Sequence, residues 1–251
     1  MTEKNSIKTG IITGVGKGIG LSTLELLISQ KNYKIISITR SKSKKIKTLM
    51  RNKNYLENYY HSLGDDLNSD RELIQKIIKK YKINFMICNA GVRHRDSIKN
   101  MNHEKRKKTL DVNYNSNVIL IEEVIKNLAN KNRKANIVYL SSIVGNLGFK
   151  DLSSYSSSKM AMEGFIRSAA VEYASKKIRI NIVSPGFVKS SYYKNFLKNE
   201  KKLNNWILNR TPMKRWGEPK EIASVIEFLI SERSSYITGS TIFVDGGWNI
   251  S

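Results

Sequence analysis

A single cysteine, Cys88, leaves the chain no partner for an internal disulfide, and its neighbours Phe85, Met86 and Ile87 point to a buried strand position and not to a reactive thiol. A reducing, cytoplasmic setting is the expectation. Proline is almost as scarce, with three residues, each at or near a turn or the start of a helix. No apolar run approaches the roughly 18 residues that span a bilayer, and no charged segment followed by an apolar stretch opens the chain. Neither insertion in a membrane nor export is expected. Acids are few: 21 Asp and Glu stand against 44 Lys and Arg, for a net charge of +23. A basic surface attracts phosphate backbones. Here, however, the lysines are spread along the whole chain among many asparagines, with no zinc-finger or helix-turn-helix spacing. Neither nucleic acid nor a metal site is expected; the charge reads as a solvated surface, with an acidic substrate or acidic carrier protein as its remaining use.

The 251 residues, 40% of them hydrophobic, suffice for one α/β core, so a single domain over residues 1–251 is expected. Short β-rich runs alternate with amphipathic stretches, the pattern of a parallel sheet covered on both faces. Strands are expected near residues 7–13, 33–39, 59–63, 85–89, 136–141, 178–183 and 241–244. The longest helices should run over 103–130 and 153–175, with another at 219–230 and a less regular insertion at 188–214.

The first expected strand leads directly into Thr13-Gly14-Val15-Gly16-Lys17-Gly18-Ile19-Gly20 and then a helix. That context suits a dinucleotide pyrophosphate at a helix N-terminus: Gly14 for the tight turn, Gly18 for close approach of backbone to phosphate, Gly20 for helix against strand. The spacing is Gly-x-x-x-Gly-x-Gly and not the better-known Gly-x-Gly-x-x-Gly. The fold expected is therefore a Rossmann-type doubly wound parallel sheet of about seven strands. At the end of the second strand, where a carboxylate would accept from the 2′-hydroxyl of NAD, the chain has Thr39 and Arg40. Arg40, with Lys17, suits a 2′-phosphate, so NADP(H) is favoured over NAD(H).

Tyr155 and Lys159 stand four residues apart and, on a helix, share one face. The ammonium would favour the phenolate and draw the phenol from its ordinary value of about 10 toward working pH, fitting it to exchange a proton with a carbonyl oxygen. A second donor to that oxygen is Ser142 or, by chemistry alone, equally Ser141.

Taken together, the turn at 13–20, Asn89-Ala90-Gly91, Asn113, Ser142, Tyr155, Lys159, Pro185-Gly186 and Asp245-Gly246-Gly247 resemble the short-chain dehydrogenase/reductase family along essentially the whole chain. The resemblance selects Ser142, within Ser-Ser-Ile-Val-Gly, as the residue bonding the carbonyl oxygen. It implies that Tyr155 is the general acid in reduction, that Lys159 tunes it and holds the nicotinamide ribose, and that Asn113 holds a relay water. It also implies that Lys17, Ile19, Asn89, Ala90, Gly91, Pro185, Gly186 and Val188 line the cofactor cleft and that Asp66 lies near the adenine. Ser190 takes the place of the family's threonine, while Lys189 and Ser191 are less typical. A homotetramer is implied as well.

Residues 89–112, and the spacing from Asn113 through Lys159, resemble the 3-oxoacyl-acyl-carrier-protein reductases, in which Arg133 and Lys176 would meet an acidic carrier. The stretch 209–219 is instead similar to polyol, sugar and sugar-acid dehydrogenases. A lid is expected at about 188–214, with Tyr192, Tyr193, Phe196, Leu197, Trp206 and Ile207 as an apolar wall and Lys194, Lys198, Lys201 and Lys202 drawing an anionic group. A non-catalytic NADP-binding regulator stays open, although such proteins usually lose the tyrosine or the lysine.

Overall fold

The computed structural model describes residues 7–51, 54–190, 193 and 201–251. Seven strands form one sheet in the order β3-β2-β1-β4-β5-β6-β7. They are β1 (Lys8–Thr13), β2 (Tyr33–Thr39), β3 (Leu56–Tyr60), β4 (Phe85–Cys88), β5 (Ala135–Leu140), β6 (Ile178–Pro185) and β7 (Thr241–Val244), and each neighbouring pair is parallel. The helices are α1 (Gly18–Ser29), α2 (Lys44–Leu49), α3 (Leu67–Lys80), α4 (His103–Leu110), α5 (Ser116–Asn130), α6 (Ile143–Asn146), α7 (Ser153–Tyr173), α8 (Lys201–Arg210) and α9 (Pro219–Ile230).

Burial on both faces explains why the strands read as near-continuous apolar runs rather than alternating ones. On one face Ile11, Ile36, Met86, Ile137 and Ile180 pack against Ile74 of α3, Leu120 of α5 and Ile166 of α7. On the other, Ile12, Ile35, Ile87 and Val138 meet Leu24 of α1 and Ile226 of α9. Strand order reverses between β1 and β4, and ligands of open α/β sheets bind beyond the carboxyl ends of the strands at such a switch point.

Two expected elements differ. The third strand ends at Tyr60, not at residue 63. His61 still donates its N–H to the Thr39 carbonyl at 3.1 Å, but the chain then turns at Gly64, whose φ of +73° and whose position against the Val112 backbone admit no strand. The long helix expected over 103–130 is broken by a π turn, Asp111–Asn115. Such bulges insert a residue into the helical ladder and cluster at functional sites. In the expected lid, residues 191–192 and 194–200 lie outside the described residues, including Tyr192, Lys194, Phe196, Leu197 and Lys198; the described part carries α8.

Candidate active site

A cleft of about 470 Å³ runs across the carboxyl ends of β1, β2, β4, β5 and β6. Its floor is the glycine turn. Gly14 (φ +73°) and Gly18 (φ +59°) hold backbone conformations that side-chain-bearing residues rarely adopt, and a Cβ on Gly20 would lie 2.4 Å from both the Gly14 carbonyl oxygen and Asn89 Nδ2. Asn89 fixes this turn: its amide donates to the carbonyls of Thr13 (3.2 Å) and Gly14 (2.9 Å), while Thr13 Oγ1 accepts the backbone N–H groups of Asn89 and Ala90. Gly20 and Asn89 thus work as a fitted pair, with Gly20 buried behind the cleft wall. Lys17, Gly18, Ile19, Ala90, Gly91, Pro185, Gly186, Val188 and Ser190 line the cleft itself. This is a backbone cradle that a Cβ would fill, and it suits a pyrophosphate.

At the β2 end, Arg40 and Lys17 are exposed, and Lys108 joins them in the lining. Lys108 pairs with Asp65, holding that carboxyl below its usual range with a smaller contribution from Arg40. The local balance favours an anion. Asp66 caps α3, accepting from the N–H groups of Asn68 (3.0 Å) and Ser69 (3.3 Å), just beyond the cleft lining. His61, Ser62 and Leu63 line that end. The Asp-Leu-Asn-Ser run around Asp66 is a helix-capping signal, and the structure bears that cap out.

At the other end the catalytic candidates meet. Ser142 follows β5 as the N-cap of α6, and its Oγ accepts the Val144 N–H at 3.3 Å, leaving the O–H to donate into the cleft. Ser141 also borders the cleft, but its hydroxyl turns inward to Glu163 at 2.6 Å, which separates two serines that chemistry alone left equal. Tyr155 is on the first turn of α7 and lines the cleft with Lys159. The Lys159 ammonium lies 5.7 Å from the Tyr155 ring centroid. It is buried, and donates to Tyr139 Oη at 3.0 Å and the Leu140 carbonyl at 2.7 Å. Burial pushes Lys159 down to about 7.

Asn113 is buried in the π turn and sits outside the cleft lining. Its side chain accepts from Val92 N–H (2.8 Å) and donates to the Val92 carbonyl (2.9 Å) and Ser158 Oγ (3.0 Å). Its backbone carbonyl accepts from Tyr139 Oη at 3.3 Å. Lys159 and Asn113 are therefore joined through the Tyr139 hydroxyl, a residue the sequence reading passed over because Tyr139 looks like an ordinary core aromatic of β5. Phe187 and Trp216 complete the lining. They belong to an aromatic cluster in which Phe187 lies 4.8 Å from Trp248, Tyr193 lies 5.0 Å from Trp216, and buried Ile207 of α8 fills the gap. Of the expected apolar wall, Tyr193 and Ile207 are packed inside this cluster, whereas Trp206 is 42% exposed.

Comparison with known proteins agrees with this layout. The family model described as Enoyl-(Acyl carrier protein) reductase matches residues 14–249. The chain is 36% identical over 243 residues, 96% of each chain, to the 3-oxoacyl-(acyl-carrier-protein) reductase FabG of Buchnera aphidicola subsp. Schizaphis graminum. Among solved structures, 4-hydroxyisoleucine dehydrogenase complexed with NADH superposes with a TM-score of 0.90 at 27% identity, covering 97% of this chain and 99% of that one. ElxO with NADP bound gives 0.87 at 28% identity, with the same coverage. With the glycine cradle, the Ser142, Tyr155 and Lys159 constellation and these full-length matches in one molecule, the chain belongs to the short-chain dehydrogenase/reductase family.

Proposed function

We propose that this protein is an NADP(H)-dependent reductase of a keto group, yielding a secondary alcohol, with a 3-oxoacyl thioester as its best-fitting substrate. The observation that carries the reading is the convergence of Ser142, Tyr155 and Lys159 at one end of a glycine-floored cleft whose other end is basic. A bound nicotinamide supplies the hydride. Ser142 and Tyr155 donate to the carbonyl oxygen as negative charge builds on it, and Tyr155 gives up its proton there. Lys159 stabilises the phenolate left behind and presents a donor toward the nicotinamide ribose.

The NADP preference rests on Arg40 and Lys17. Arg40→Ala is expected to weaken NADPH binding by about 10–100-fold, the value of a charge-assisted contact, and to leave NADH nearly unaffected. Fluorescence titration of the two cofactors checks it.

The thioester reading is supported by the kinship to a FabG protein over nearly the full length. The stretch 209–219, which suggested sugar dehydrogenases, is occupied structurally: Arg215 forks onto Glu221 at 2.8 and 2.7 Å, Glu221 accepts the Glu218 N–H at 2.7 Å to cap α9, and Trp216 donates to Asn204 at 3.0 Å. For a carrier, Lys176 is exposed beyond the end of α7, while Arg133 is partly buried and donates to the Ile83 carbonyl at 2.9 Å. The test compares acetoacetyl-carrier protein, acetoacetyl-coenzyme A and a panel of keto-sugars and keto-acids, with the wild type and Lys176→Glu. Preference for the carrier-linked substrate, diminished in Lys176→Glu, supports the reading; turnover of a sugar alone moves the enzyme to carbohydrate chemistry.

The same reading includes a homotetramer and a cytoplasmic setting. Supporting the first, β7 lies at the sheet edge with Phe243 exposed, and Val171 of α7 and Tyr236 are exposed as well. Light scattering tests the mass. Among the described residues, no helix is long and apolar enough to cross a membrane.

A further inference from the structure

Lys159 and Glu163 occupy successive turns of α7, and both are buried, at 4% and 1% exposure. A buried carboxylate is costly unless donors surround it. Glu163 has them from three directions. Its Oε1 accepts from Ser141 Oγ at 2.6 Å, and its Oε2 accepts from Arg167 Nη1 at 3.3 Å and Thr241 Oγ1 at 3.4 Å. A Cβ on Gly145 would come within 3.7 Å of Oε1, so the carboxylate sits where α6, α7 and β7 meet behind the cleft. An apolar side chain would fill a helix-to-sheet contact without any of these partners, so packing alone does not explain the carboxylate.

The groups around Lys159 show what it does there. Tyr155 and Glu163 face it from α7, Tyr139 from β5 and Cys88 from β4, with Gly91 and Asn113 alongside. Its two hydrogen-bond acceptors, Tyr139 Oη and the Leu140 carbonyl, are neutral. Burial drives the ammonium toward its neutral form, and Cys88 and Glu163 oppose that. The Cys88 thiol is itself pushed up to about 12 by burial and carries no charge near neutral pH. Among these groups Glu163 is the carboxylate, one helical turn from Lys159.

From this geometry we propose that Glu163 is a positioning residue for proton transfer: the buried counter-charge that keeps Lys159 protonated and, through Ser141, steadies the backbone that presents Ser142. The inference rests on the reading of Tyr155 and Lys159 as the proton-transfer pair.

The test is the pH profile of ketone reduction by the full-length enzyme, from about pH 5 to 9.5. The wild-type rate should fall with rising pH as Lys159 loses its proton. Glu163→Gln keeps the size and an acceptor for Ser141 but removes the charge. Its falling limb should move to lower pH by about one unit, so that it is about tenfold slower on the limb and much closer to wild type on the acid plateau. Arg167 is half-exposed and shares the Glu163 carboxylate, so Arg167→Gln should fold and should move the limb to higher pH. A purely structural role for Glu163 would lower the rate by one factor at every pH. A limb that stays put in Glu163→Gln, a shift to lower pH in Arg167→Gln, or a flat wild-type profile overturns the proposal. If Glu163→Gln does not fold, Arg167→Gln decides alone. A Tyr155→Phe enzyme of near-normal rate sinks the underlying reading; an inactive Tyr155→Phe together with an unmoved limb in Glu163→Gln sinks only the role of Glu163.

Discussion

Tyr155→Phe is expected to cut turnover by about three orders of magnitude while cofactor affinity stays within a few-fold of wild type, the range that loss of a placed general acid produces. The argument is local. Tyr155 is on the first turn of α7 and lines the cleft together with Ser142, where the proposed mechanism has its hydroxyl meet the carbonyl oxygen. Removing one oxygen leaves the ring, and hence the packing of the α7 start, in place. The backbone cradle at Gly14, Gly18 and Gly20 and the cations at Lys17 and Arg40 are untouched, so NADPH should still bind. Steady-state kinetics paired with a fluorescence titration of NADPH separates the two effects. A variant that binds NADPH and turns over near the normal rate would remove Tyr155 from the chemistry.

Gly20→Ala should damage both stability and cofactor binding. The added Cβ would lie 2.4 Å from the Gly14 carbonyl oxygen and 2.4 Å from Asn89 Nδ2, and the first of these is backbone that cannot swing away. Overpacking of this kind costs about 1–3 kcal/mol. In a domain of this size that amounts to a fall in Tm of roughly 3–10 °C. Because Asn89 also holds the glycine turn through the Thr13 and Gly14 carbonyls, its displacement should raise the NADPH Kd by about tenfold or more. Thermal unfolding with and without NADPH measures both. A Gly20→Ala enzyme of wild-type Tm would show that α1 slides away from β4 without penalty. Gly148 is the contrast: a Cβ there meets nothing within 4 Å.

Most of the fold was legible because its signals are local and repeated. Apolar runs such as Tyr33–Thr39 are buried nearly throughout, as the central strands of a parallel sheet must be. The glycine turn and the Tyr155 to Lys159 spacing were equally readable, since each depends on residues close in sequence. What escaped depends on long-range contacts. The π turn at Asp111–Asn115 is fixed by Asn113 clamping Val92, 21 residues away, and no periodicity in 103–130 announces it. Tyr139 and Glu163 stand in no motif of the sequence; only the folded chain brings their polar atoms to Lys159 and Ser141. The cap that Asp66 gives α3 is local, by contrast, and can be read from the residues that follow it. The basic composition was the least informative feature, since many of the cations form ion pairs across the surface, such as Lys80 with Glu57 and Lys189 with Glu218.

The most direct test of the central claim is to follow the label from NADPH deuterated at the nicotinamide C4 position on the face the enzyme uses, with acetoacetyl thioester as substrate, by mass spectrometry of the product. The account predicts a 3-hydroxyacyl product carrying one deuterium on the carbinol carbon, formed by the wild type and nearly abolished in Tyr155→Phe. NADPH bound tightly with no label passed to this ketone, or to any keto-sugar or keto-acid of the panel, would contradict it.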